Sequence, residues 1–324
     1  MGAISKDEVA LYDRQIRLWG MEAQTRLRSS SVCIMGITAL SLETAKNLVL
    51  SGIGTLTLID PHEITNDDLQ VQYYFDESHI GRPRDHELAE QLRVLNPLVT
   101  IRVGERGQEI SGFDVVIHVG AYMEAQHVAS ACRNAGVKFV AAGALGLFGF
   151  VFVDCGDCHE YAESTSGAEP STTTCIAEYT SLSDSLTARV EESSVVRLRR
   201  KYPPLVFVFQ GKCFHCTYVA ILHSAYSVFC VALMAGVVDT EDELVRLVRS
   251  SLQSRSIPSN VVDHDIISRV AQSLGTEFVP CAAVVGGTLA QEVLKIITRK
   301  DMPINNWYTY DALKGDAITC TLKP

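Results

Sequence analysis

Apolar and polar positions along this chain follow two periods that change places in a regular order. Between Ser31 and Asp60, "SVCIMGITALSLETAKNLVLSGIGTLTLID", an apolar run gives way to apolar residues three and four apart, then to a second apolar run. The pattern predicts strand, helix and strand, with Gly52 stopping the helix. "VTIRVG", "DVVIHVG" and "VKFVAAG" read as further strands. "DHELAEQLRVLNP" and "MEAQHVASACRNAG" read as helices, the first ended by Asn96-Pro97. Strands alternating with helices predict an α/β fold: a doubly wound, mostly parallel sheet with helices on both faces. The segment "KDEVALYDRQIRLWGMEAQTRLRSS" predicts a helix, with Leu11, Ile16, Leu18 and Trp19 marking an apolar stripe.

After Asp154 the rhythm changes. Residues 155–275 hold polar stretches, the basic run "RLRRK" and apolar helices, and read as an inserted segment of loop and helix. From 276 to 324 the first pattern returns as a helix, "PCAAVVGGTLAQEVLKIIT", and a hairpin turning at Lys314-Gly315. Residues 1–154 and 276–324 are therefore expected to build one fold around the insert.

The turn after the first strand, "GITALS", raises a chemical question. A phosphate-binding turn uses one glycine for the bend, a second for close approach of the pyrophosphate and a third for helix–strand packing. Here Gly36 supplies the first, while Thr38 and Ser41 fill the other places. A side chain at 38 stands where a pyrophosphate would sit. Asp60, ending the second strand, keeps the place of the acid that grips a ribose hydroxyl. The residues point to a degenerate site, and they argue against a nicotinamide-dependent dehydrogenase.

The chain has 324 residues and a net charge of −10, which argues against broad nucleic-acid binding. No apolar run is expected to reach membrane-spanning length, so no membrane partner is expected. The polar amino terminus has no signal-peptide core, and the ten cysteines are expected to be reduced, in cytosol or nucleus.

"LYDRQIRLWGMEAQTRLRSS", "KNLVLSGIGTLTLID" and "FVPCAAVVGGTLAQEVLKIITRKDMPINNWYTYDALKG" together resemble the ThiF-like enzymes that activate ubiquitin-like proteins. The last stretch is similar to the small, non-catalytic subunits of the heterodimeric SUMO-activating members. The resemblance implies a Rossmann-like adenylation fold without its own activity. The glycine-rich turn, the nucleotide-contacting arginine (the stretch is Asp68 to Gln72 here), the magnesium aspartate (Gly120 here) and the catalytic lysine (Arg84 here) are all replaced. It implies no cofactor bound by this chain, with ATP and magnesium in a large catalytic partner that adenylates SUMO and takes it as a thioester. It also implies a nuclear and cytoplasmic protein, and that Arg14, of "YDRQ", reaches in trans into the partner's ATP site. A guanidinium there would meet phosphate oxygens and offset developing charge. Read without the resemblance, Arg14 is a surface arginine pairing with Asp7 or Asp13. Within the same family the alternatives are the regulatory subunit of the NEDD8-activating enzyme, whose long insertion is missing here, and a self-contained sulfur-carrier adenylating enzyme.

Two further constellations remain. Cys155 and Cys158 with Cys213 and Cys216 form a CxxC…CxxC pair that is a weak candidate for zinc, set against buried cysteines acting as small hydrophobes; no bound metal is expected. Cys175 is expected in a polar loop with no base beside it, an ordinary thiol rather than a transfer cysteine.

Overall fold

The computed structural model describes residues 6–120, 122–165, 171–189, 194–210, 241–273 and 276–323. The amino-terminal helical stretch is three helices: α1 (Lys6–Leu11), α2 (Asp13–Trp19) and α3 (Met21–Ser29). Tyr12 and Gly20 separate them, and Gly20 takes φ 88°, which a helix cannot continue through. Then come β1 (Ser31–Met35), α4 (Ala39–Ser51), β2 (Thr55–Ile59), α5 (Asn66–Val71), α6 (Arg84–Leu95), β3 (Thr100–Val103), β4 (Val115–Val119), α7 (Tyr122–Ala135) and β5 (Lys138–Leu145). β6 (Phe148–Asp154), β7 (His159–Thr165), β8 (Ser171–Ala177), α8 (Leu182–Thr187) and α9 (Val195–Lys201) follow. The chain closes with α10 (Glu241–Ser254), α11 (His264–Gln272), α12 (Val279–Thr298), β9 (Asn306–Asp311) and β10 (Asp316–Cys320).

Among the described residues, eight strands form one sheet in the order β10-β9-β6-β5-β4-β1-β2-β3. From β5 to β3 all neighbours are parallel, and β1 lies between β2 and β4. That is the doubly wound arrangement, with its switch point beside β1. β6, β9 and β10 extend it antiparallel, so the carboxy-terminal hairpin joins the same sheet. The segment read as loop and helix also holds a strand pair, the β7–β8 hairpin, with Cys175 opposite Tyr161 on a strand rather than in a loop.

Alternation along the strands divides the core. Val32 and Ile34 of β1 face a cluster with α4, α6 and α12, while Cys33 faces a second cluster with α7, α8, α10 and α11. α12 corrects one sequence expectation: by length and composition it could cross a membrane. Here it is a core helix packed against α4, with Leu289, Val293 and Cys281 fully buried. Gly286 makes that contact possible, since a Cβ on it would lie 2.7 Å from the Leu40 carbonyl oxygen.

Candidate functional site

The turn from Gly36 to Ser41 lies at the carboxyl end of β1, where doubly wound folds bind ligands. Gly36 has φ 90°, and a Cβ on it would fall 1.8 Å from the carbonyl oxygen of Val119, so the bend against β4 requires glycine. Beyond that bend, the backbone N–H groups that could hold a phosphate are engaged by the chain's own side chains. The Ile37 N–H donates to Asp60 Oδ2 at 2.7 Å. The Thr38 N–H donates to Ser41 Oγ at 2.6 Å, and the Ala39 N–H to Glu277 Oε2 at 2.8 Å. Thr38 Oγ1 in turn accepts from the Ser41 N–H at 3.5 Å, closing a capping box on α4. Two carboxylates and a hydroxyl thus occupy the positive end of the helix, where an anion is favoured.

Asp60 is not left available for a ribose. It is 2% exposed, and its Oδ1 accepts from the His62 N–H at 2.9 Å and faces His62 Nδ1 at 2.7 Å. Arg84, which the resemblance sets against a catalytic lysine, is bound to Asp68: Nη2 at 2.8 Å and Nε at 3.2 Å from Oδ2. Gln72 turns its Oε1 back onto the N–H groups of Tyr74 and Phe75. Gly120 follows β4 and brings no carboxylate. Burial pushes the Glu277 carboxyl above the usual carboxylate range, against the opposing pull of the Ala39 N–H, the Thr38 hydroxyl and Arg84. Nothing local in the sequence places Glu277 beside residue 39, which it meets only through the fold. The Thr38-x-x-Ser41 spacing, by contrast, was a readable capping signal.

Arg14 stands apart from this turn. It lies exposed on α2, none of whose residues is buried. Asp13 pairs with Arg17 at 2.9 Å, and among the described side chains Arg14 forms no ion pair. Leu11 and Leu18, on the apolar stripe, are 62% and 75% exposed, so much of that stripe is not covered by this chain.

The cysteines divide. Cys155 is buried in the core, where burial raises its pKa, and Cys158 is exposed. Cys213 and Cys216 lie outside the described residues. Among the described residues no group of three or more His, Cys, Asp or Glu side chains is arranged to hold a metal. In the basic run, Arg199 is tied to the carbonyl oxygens of Val261 and Asn260 and to Asp263.

Fold and turn together define a doubly wound nucleotide-type sheet whose phosphate turn is capped from within. The chain belongs to the ThiF family, whose model matches residues 12–324. It is similar to the DNA damage tolerance protein RHC31 of Saccharomyces cerevisiae, 30% identical over 97% of this chain and 96% of that protein. It is 28% identical to SUMO-activating enzyme subunit 1 of Homo sapiens, over 100% and 97% of the two chains. With the DNA damage tolerance protein rad31 of Schizosaccharomyces pombe it shares 29% identity, over 96% of each.

Proposed function

We propose that this chain is the non-catalytic small subunit of a SUMO-activating enzyme. It pairs with a large subunit that binds ATP and magnesium, adenylates SUMO and receives it as a thioester. The observation that carries this reading is the internally capped turn. With Asp60, Ser41 and Glu277 on the N–H groups of residues 37 to 39, a triphosphate would have to displace two carboxylates of its own sign. Near-full-length similarity to proteins named SUMO-activating enzyme subunit 1 supports the modifier and the presence of a partner subunit. The exposed apolar stripe on α1 and α2 suits a surface covered by that partner. Arg14, exposed among these residues, enters the partner's ATP site and offsets charge as the acyl-adenylate forms. The complex acts in nucleus and cytoplasm.

Two measurements test the reading. Isothermal titration of the full chain alone with ATP gives no binding heat; tight binding, or charging of a modifier by the lone chain, overturns it. In the reconstituted pair, Arg14→Ala slows ATP–pyrophosphate exchange at least about tenfold, while gel filtration shows the dimer intact. An unchanged rate removes Arg14 from the mechanism.

A further inference from the structure

We infer that Tyr12 is a positioning residue for Arg14, acting through a joint that Asn96 and Gly52 build for its ring; this rests on the trans role proposed above. Tyr12 links α1 to α2, and its carbonyl oxygen accepts the Ile16 N–H at 2.9 Å. It is 6% exposed, whereas α2 itself has no buried residue. α2 is held by half-buried residues, Gln15, Ile16 and Trp19, of which Trp19 packs against the core, and Tyr12 is the buried anchor at its amino-terminal end.

The seat for Tyr12 is assembled from two distant segments. Asn96, itself buried, donates from Nδ2 to Tyr12 Oη at 2.9 Å and to the Val49 carbonyl oxygen at 2.8 Å. One amide thereby ties the ring to the end of α4. Gly52 takes φ 78° as the cap of α4, and a Cβ on it would lie 2.5 Å from the ring's Cζ. Only glycine leaves room for the ring and accepts that backbone without strain. Arg14 follows two residues later, on the first turn of α2, and is exposed. With Tyr12 turned into the body, the guanidinium is directed outward. A rigid anchor there lowers the conformational freedom that Arg14 would lose on reaching a partner.

The test is a double-mutant cycle in the reconstituted pair, read by ATP–pyrophosphate exchange in the presence of SUMO. Tyr12→Ala slows exchange roughly tenfold or more, because a misplacement of ~1 Å can cost as much as ~100-fold. Tyr12→Phe, which keeps the ring and loses only the Asn96 bond, retains more of the rate than Tyr12→Ala. In an Arg14→Ala background neither substitution slows exchange further, since a purely structural role would slow both backgrounds alike. Gel filtration and thermal melting confirm that each variant folds and pairs. A normal rate for folded Tyr12→Ala, or full additivity with Arg14→Ala, overturns the joint and leaves the role of Arg14 standing. An unaltered rate for Arg14→Ala alone overturns both.

Discussion

Glu277 Oε2 accepts the backbone N–H of Ala39 at 2.8 Å, joining residues 238 positions apart. Ala39 opens α4 and Glu277 lies two residues before α12. The two helices also touch where Thr44 Oγ1 donates to the Gly286 carbonyl oxygen at 3.2 Å. The carboxylate that fills the phosphate turn is therefore also a clasp between two core helices.

The two uses of Glu277 separate by substitution. Glu277→Ala leaves the Ala39 N–H without its acceptor and should lower stability by on the order of 1–2 kcal/mol. Glu277→Gln keeps an acceptor without a buried charge. Because burial raises the folded pKa of Glu277, its contribution is greatest below the ordinary glutamate value and falls as pH rises through the folded value. At pH 7 the glutamine variant should then lie within ~0.5 kcal/mol of wild type or above it. Urea denaturation of the full chain reads both; a glutamine variant as unstable as the alanine one would contradict the assignment.

Gly286 and Gly287 are neighbours on α12 with opposite surroundings. A Cβ at 286 would meet the Leu40 carbonyl oxygen at 2.7 Å, whereas a Cβ at 287 meets nothing within 4 Å. Gly286→Ala should destabilise the chain, by roughly 1–3 kcal/mol as overpacking does. Gly287→Ala should stabilise it by about 0.5–1 kcal/mol through the lower backbone entropy of the unfolded state. Thermal melting of the two variants side by side distinguishes the positions, and shifts of the same sign would refute the contrast.

His159 gives the fold an acid-sensitive point. It is buried at the start of β7, edge-on to the Tyr179 ring, and burial pushes its pKa from 6.5 down to about 4. Lys138 and Arg299 act in the same direction. The unfolded chain binds a proton there more readily than the native state, so stability falls as pH drops from 6.5 towards 4. His159→Gln should remove part of that slope. Melting temperatures across the window check it, and an unaltered slope would show that His159 does not contribute.

Much of the fold could be read from the residues because periodicity reports which face of an element is buried. Val32, Ile34, Leu56 and Leu58 sit where the apolar runs placed strands, and Gly52 stops α4 in the left-handed conformation. Less could be read where burial depends on distant chain. The single helix that the spacing predicts over residues 6–30 breaks at Tyr12 and Gly20, and its apolar stripe at Leu11 and Leu18 faces outward. The polar "STTTC" stretch forms β8 because it pairs with β7, a partner that local composition does not reveal.

The sequence by itself determined the doubly wound sheet, the loss of two turn glycines and the place of Arg14 in a helix near the amino terminus. These follow from spacing and side-chain size, which are local properties. Only the tertiary structure decided which distant carboxylates engage the turn's N–H groups: Asp60 and Glu277. Only the tertiary structure, too, set Tyr12 between Asn96 and Gly52. Hydrogen bonds and close ring contacts between residues dozens or hundreds of positions apart depend on where the chain returns in space. No period in the sequence encodes that return.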